Sequence, residues 1–181
     1  MTHVLGISGS LRRGSYNSAL LRAARSELPK EVRFDEWEEL AAIPAYSEDI
    51  AADPPSVAAL KAALAEADAV LFATPEYNAS VPGALKNALD WVSRPFLANP
   101  LRDKPVAVVG ASQGAFGAIW AQAELRKILR TLGARTDQRE LVVAHVQSAF
   151  GEDGSLRDDE LASALRSIVF DLAGVACRRA A

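Results

Sequence analysis

Residues 69–92 read AVLFATPEYNASVPGALKNALDWV, and this stretch sets the architecture. Ala69-Val70-Leu71-Phe72-Ala73 is a continuous apolar run, the pattern of a strand covered on both faces. Leu85, Ala88, Leu89 and Val92 then fall at i, i+3, i+4 and i+7, one stripe of an amphipathic helix. The same unit recurs on either side. Val4-Leu5-Gly6-Ile7 precedes the stripe Leu20, Leu21, Ala24 and Leu28. Val106-Ala107-Val108-Val109 precedes Leu125, Ile128, Leu129 and Leu132, with Gly133 placed to end that helix. Residues 31–37 set Val32 and Phe34 against Arg33 and Asp35, the alternation of a half-exposed edge strand. Val57, Leu60 and Leu64 follow Pro54-Pro55 as a further helix; Leu141-Val142-Val143-Ala144 reads as a fifth strand, and Leu161, Leu165, Ile168, Val169 and Leu172 as the last helix.

Strands alternating with helices predict an α/β fold: a doubly wound, five-stranded parallel sheet with helices on both faces, in one domain over residues 1–181. The three continuous runs belong in the middle and the alternating one at an edge, which the strand order 2-1-3-4-5 satisfies. Such sheets bind ligands beyond the carboxyl ends of their strands, at the switch between strands 1 and 3. Function is therefore sought in the loops after strands 1, 3 and 4.

Composition narrows the classes. The chain is 50% hydrophobic and 24% charged, enough apolar surface for a core. Its 20 Lys and Arg against 23 Asp and Glu leave a net charge of −3, without the basic balance that nucleic-acid binding needs. One cysteine, Cys177, and two histidines, His3 and His145, exclude a disulfide framework and a cysteine-rich zinc site, so no metal site is expected and Cys177 reads as incidental. The first residues lack a basic segment followed by an apolar one, and no apolar run approaches the roughly 20 residues of a membrane helix. A cytoplasmic protein without membrane association is expected.

The loop after strand 1 runs Ser8-Gly9-Ser10-Leu11-Arg12-Arg13-Gly14-Ser15-Tyr16-Asn17-Ser18 into a helix. A helix N-terminus attracts anions. Gly9 and Gly14 have the P-loop separation, but Ser15-Tyr16 stands where Lys-Ser/Thr is required, which argues against a nucleoside triphosphatase. The G-x-G-x-x-G of dinucleotide loops is also absent. Hydroxyls and guanidinium groups suit a terminal monophosphate with three free oxygens. Helix capping explains one or two of these residues, not the whole loop. Asp35 stands where a ribose-binding acid could, but on the edge strand.

In the loop after strand 3, Pro75 and Pro82 stiffen a connection that carries Glu76, Tyr77 and Asn78, a setting for an aromatic heterocycle with polar edges. Taken alone it would pass for a Pro- and Asn-rich turn. After strand 4, Gly110-Ala111-Ser112-Gln113-Gly114 matches G-x-S-x-G, and Asp137 and His145 follow in the order of a hydrolase triad. A serine hydrolase with Ser112 as nucleophile is therefore an alternative, although it leaves the other two loops unexplained. A short-chain dehydrogenase is disfavoured, since no Tyr has a Lys four residues later.

Together GISGSLRRGSYNS, TPEYNASVPGALKNALDW and GASQGAFG, with Ile43-Pro44-Ala45-Tyr46-Ser47-Glu48-Asp49 between them, resemble the NADPH-dependent FMN reductase family of flavodoxin-like quinone, chromate and azo-compound reductases. The resemblance implies noncovalent FMN and an enzyme that passes hydride from NADPH or NADH through the flavin to a small-molecule acceptor such as a quinone, by ping-pong kinetics. By the family's pattern Ser10, Arg12, Ser15, Tyr16 and Asn17 hold the phosphate, with Leu11 and Gly14 completing the loop. Pro75, Glu76, Tyr77 and Asn78 line the ring, and Ser112 is a further flavin contact. No side chain need act as acid, base or nucleophile, so no catalytic residue is nominated. The family also implies homodimers or homotetramers in which a neighbouring subunit completes the site. Trp120 and Ala123 depart from the Arg and Tyr that some members carry there. A flavodoxin that only carries electrons is the second alternative.

Overall fold

The structure, a computed structural model, describes residues 1–180, with side chains as far as Ala176; Cys177 lies outside the described side chains. Strands β1 (His3–Ser8), β2 (Arg33–Trp37), β3 (Ala69–Thr74), β4 (Pro105–Ala111), β5 (Arg135–Thr136) and β6 (Val142–Val143) form one parallel sheet. Its order is β2-β1-β3-β4-β5, with β6 also pairing with β4. Helices α1 (Tyr16–Glu27), α2 (Pro55–Glu66), α3 (Gly83–Val92), α4 (Ile119–Thr131) and α5 (Asp159–Ala180) connect and cover it.

The continuous apolar runs are central because both their faces are covered. Leu5, Ile7, Val70, Phe72, Val106 and Val108 face one way, into a core closed by α2, α3 and α4. Their neighbours Val4, Leu71, Ala73, Ala107, Val109 and Ala111 face the other way, against α1 and α5. The period of two thus splits one sheet between two cores. In β2 only Phe34 is fully buried, as expected of an edge.

The expected fifth strand at residues 141–144 is present as Val142 and Val143, and a short strand that the sequence reading does not expect precedes it. The edge beyond β4 thus holds two separate pairs: Arg135 and Thr136 against Pro105 and Val106, then Val142 and Val143 against Gly110 and Ala111. Side chains take over between them. Asp137 accepts from the backbone N–H of Arg139 at 2.9 Å, and Gln138 donates to the carbonyl of Thr136 at 2.9 Å. The buried Arg126 of α4 donates to the Arg139 carbonyl at 3.2 Å. Such local bonds compete with a ladder and interrupt it.

The register brings the functional ends level. Ser8 pairs with Ala73, Thr74 with Gly110, and Ala111 with Val143, so the loops after β1, β3 and β4 leave the sheet side by side. The segment from Ile43 to Asp49 docks on α3. Asn87 donates to the Pro44 carbonyl at 2.8 Å and Trp91 at 2.9 Å, and the Tyr46 ring meets Trp91 edge-on at 5.0 Å.

Candidate functional site

The three loops enclose a cleft of about 300 Å³ at the carboxyl ends of β1, β3 and β4. The first loop contributes Ser10, Arg12, Ser15, Tyr16 and Asn17; the second, Pro75, Glu76 and Tyr77; the third, Ser112. Leu11, Gly14 and Asn78 lie outside the lining, whereas Ala111, Gln113 and Val146, which the sequence reading does not assign to the site, lie within it.

The first loop holds itself up. Ser8 Oγ accepts from the Ser10 N–H and Ser10 Oγ from the Arg12 N–H, both at 3.3 Å. Ser15 caps α1, its Oγ accepting from Asn17 at 3.2 Å and Ser18 at 3.3 Å. Each hydroxyl accepts locally and keeps its own proton to donate. The Arg12 guanidinium lies 4.9 Å from the Tyr16 ring centroid, a cation–π contact that holds a positive charge at the start of α1. Tyr16 in turn stacks parallel to Phe150 at 6.5 Å. At Gly9 a Cβ would lie 3.0 Å from Leu85 Cδ2, so a side chain there would make the Leu85 side chain of α3 give way by a few tenths of an ångström.

Asn17 has a different task from its neighbours. It is 3% exposed; its side-chain N–H donates to the Ala111 carbonyl and its oxygen accepts the Ala111 N–H, both at 3.0 Å. This reciprocal pair ties the start of α1 to the end of β4 and leaves the second N–H of the amide beside the cleft that Asn17 lines.

The loop after β3 turns at Tyr77–Ser80. Tyr77 donates to the Ser80 carbonyl at 3.1 Å and Ser80 to the Tyr77 carbonyl at 3.2 Å. Asn78 and Ala79 sit at φ 53° and 59°, the signature of a type I′ turn. Tyr77 is 51% exposed over the cleft, while its N–H is spent inside the turn. Glu76 is half-buried and accepts from the N–H groups of Trp120 and Ala121 at 3.0 and 3.1 Å, so its carboxylate caps α4. Glu124 of α4 reaches back, accepting from Ser80 Oγ at 2.6 Å and the Val81 N–H at 3.2 Å.

The loop after β4 is fixed from below. Gly117, at φ 49°, would place a Cβ 2.4 Å from Val142, so only glycine is admitted. The fully buried Gln122 donates to the carbonyls of Gly117 at 3.2 Å and Leu141 at 2.9 Å. Beside the cleft Phe116 and Trp120 touch at 4.8 Å and are 60% and 48% exposed. Sequence patterns do not reveal Glu124 or Gln122, because their partners Ser80 and Leu141 are distant in the chain.

The hydrolase constellation does not assemble. Ser112 Oγ accepts from the Gly114 N–H at 3.1 Å. Burial pushes the Asp137 carboxyl up, but hydrogen bonds from Arg139 outweigh it and hold the group below its ordinary value of 3.8. Asp137 is thus an ion-pair partner of Arg139, and among the described residues the His145 side chain bonds to neither it nor Ser112. A larger groove, about 520 Å³, runs between α1 and α5 and shares Ser15 and Tyr16 with the cleft. It lies off the strand ends, and its acidic groups are engaged: Glu27 by Arg166, Asp153 by Ser155.

Comparisons with known proteins converge. The model of the family described as NADPH-dependent FMN reductase matches residues 2–148. An NAD(P)H-dependent FMN reductase of Pseudomonas aeruginosa is 46% identical over 160 residues, covering 87% of this chain and 85% of its own. A 2-hydroxy-1,4-benzoquinone reductase of a Burkholderia species is 39% identical over 165 residues, 90% of each chain. Among solved structures, the flavoenzyme NAD(P)H:(acceptor) oxidoreductase FerB of Paracoccus denitrificans superposes with a TM-score of 0.86 at 35% identity over 98% of both chains.

Proposed function

This chain belongs to the NADPH-dependent FMN reductase family, and from that premise we propose that it carries reducing equivalents from NADPH or NADH, through noncovalently held FMN, to a small-molecule acceptor such as a quinone. The observation that carries the reading is the cleft itself: one end is cationic and rich in hydroxyl donors, the other aromatic, and it lies at the β1–β3 switch point. That donor set fits a flavin mononucleotide.

At the phosphate end, Arg12 supplies the compensating charge, and the hydroxyls of Ser10 and Ser15 and the N-terminus of α1 supply donors. Leu11 and Gly14 shape that loop. Tyr16 backs the guanidinium, and Asn17 both braces Ala111 and lines the cleft. At the ring end, Pro75 and Tyr77 form a wall and Ser112 a polar contact. Glu76 acts through α4, and within the turn it is Asn78, not Tyr77, whose N–H is left to meet a polar edge of the ring. Bound FMN supplies the two-electron chemistry; the chain supplies position and electrostatics, with no acid, base or nucleophile. One open ring face would serve donor and acceptor in turn, which is ping-pong behaviour.

The exposed aromatics Tyr77, Phe116 and Trp120 beside the cleft support a homo-oligomer, dimer or tetramer, in which a second copy completes the site. No helix among the described residues is long and apolar enough to cross a membrane, and a cytoplasmic location belongs to the same proposal.

Mixing the protein with FMN and then NADPH or NADH under anaerobic conditions tests the reading. A bound yellow chromophore that bleaches with either nucleotide and recovers its colour with a quinone is expected. A protein that binds no FMN overturns it.

A further inference from the structure

The ring-end wall of the cleft is gripped by two carboxylates in exchange. Glu76, from the loop after β3, caps α4; Glu124, four residues beyond Trp120 in α4, grips the loop. One oxygen of Glu124 accepts both the Ser80 hydroxyl at 2.6 Å and the Val81 N–H at 3.2 Å. Ser80 is the last residue of the turn whose first residue, Tyr77, lines the cleft. Its backbone N–H and carbonyl both serve the turn, so its hydroxyl is the handle by which the turn is held from outside. The turn needs holding, because Asn78 and Ala79 both occupy the left-handed region and alanine there is disfavoured. Glu124 lies outside the cleft lining.

We propose that Glu124 is a positioning residue for flavin reduction: acting through Ser80 and Val81, it fixes the turn that sets Tyr77 against the ring. The proposal rests on the flavin reading above. It makes the affinity and potential of the flavin depend on a side chain one layer removed. The hydrogen bonds carry the effect, not the charge, since a Gln oxygen can accept the same two donors.

The test compares Glu124→Ala, Glu124→Gln, Ser80→Ala and the double variant Ser80→Ala/Glu124→Ala with the wild type. It reads the FMN dissociation constant of the flavin-free protein, the midpoint potential of bound FMN, and hydrogen exchange of residues 77–81 without flavin. Glu124→Ala should weaken FMN about tenfold, shift the potential and speed exchange in the turn, the loss expected when hydrogen bonds to a charged acceptor go. Glu124→Gln should return affinity and exchange to within about threefold of wild type and bring the potential back toward it, since neutral hydrogen bonds keep part of that strength. Ser80→Ala should weaken FMN about threefold, and the double variant should be no worse than Glu124→Ala, because the two residues act as a unit. Ser80→Ala keeps the test decisive if Glu124→Ala folds poorly. Wild-type affinity and potential in Glu124→Ala would overturn the proposal, and a mere drop in melting temperature would mark Glu124 as a brace. A Glu124→Gln variant as impaired as Glu124→Ala would also overturn it, by assigning the effect to charge. Failure of the wild type to bind FMN would instead sink the flavin reading, with Glu124's part in it.

Discussion

The loops after β1 and β3 face each other across one cleft and are held by opposite means. The first is supported from within: Ser8, Ser10 and Ser15 bind backbone N–H groups two or three residues away. The second is supported from a distance: Glu124 lies 44 residues from Ser80, and Glu76 caps a helix 44 residues on. The lesson is that a cradle for a phosphate can be built locally, because hydroxyls cap and donate at once. A wall for a planar ring needs an outside anchor, because its turn is strained and its own N–H groups are partly spent.

Variants can break this contrast. Arg12→Ala should have the largest effect, weakening FMN roughly 10- to 150-fold by removing a charge-assisted bond. Unchanged affinity in a titration of the flavin-free protein would take Arg12 out of the site. Asn17→Ala comes next, since it strands the buried N–H and carbonyl of Ala111. A loss of about 2–3 kcal/mol in urea unfolding is expected; a neutral result would mean that water replaces the amide. In the flavin-free protein Ser15→Ala removes a local cap and should cost about 1 kcal/mol. If it also loosened the Tyr77 turn, seen as faster hydrogen exchange there, the two supports would not be independent.

Asp137→Asn is the smallest case and lies outside both loops. The carboxyl of Asp137 is held below its ordinary 3.8. Its contribution to stability is therefore fully present above that pH and is lost as pH falls through the lowered value. The wild type should exceed the variant in stability at neutral pH, with the gap closing in acid. A pH-independent gap would show that the Asp137 carboxyl titrates alike in the folded and unfolded states.

Local support is also what can be read in a sequence. The strand order, the two-faced burial of Val70–Phe72 and the loops that meet at the cleft all follow from apolar period and chain order. Ser15 as a cap and the Lys86–Asp90 helical pair at 2.7 Å are legible for the same reason. The short strand Arg135–Thr136 is not, because it has no apolar run to mark it and Asp137, Gln138 and Arg126 break the ladder directly after it. Nor are the bonds of Asn17 to Ala111 and of Glu76 to α4, which these cleft-lining residues make with other elements of the fold. Spacing reports what a residue can do, and tertiary packing decides which of several possible partners it meets.

The most direct measurement of the central claim is the affinity of the flavin-free protein for FMN beside that for riboflavin, which lacks only the phosphate. A cradle built from Arg12, Ser10, Ser15 and the α1 N-terminus should bind FMN at least about tenfold more tightly, with most of the difference lost in Arg12→Ala. Equal affinity for the two flavins would contradict the account.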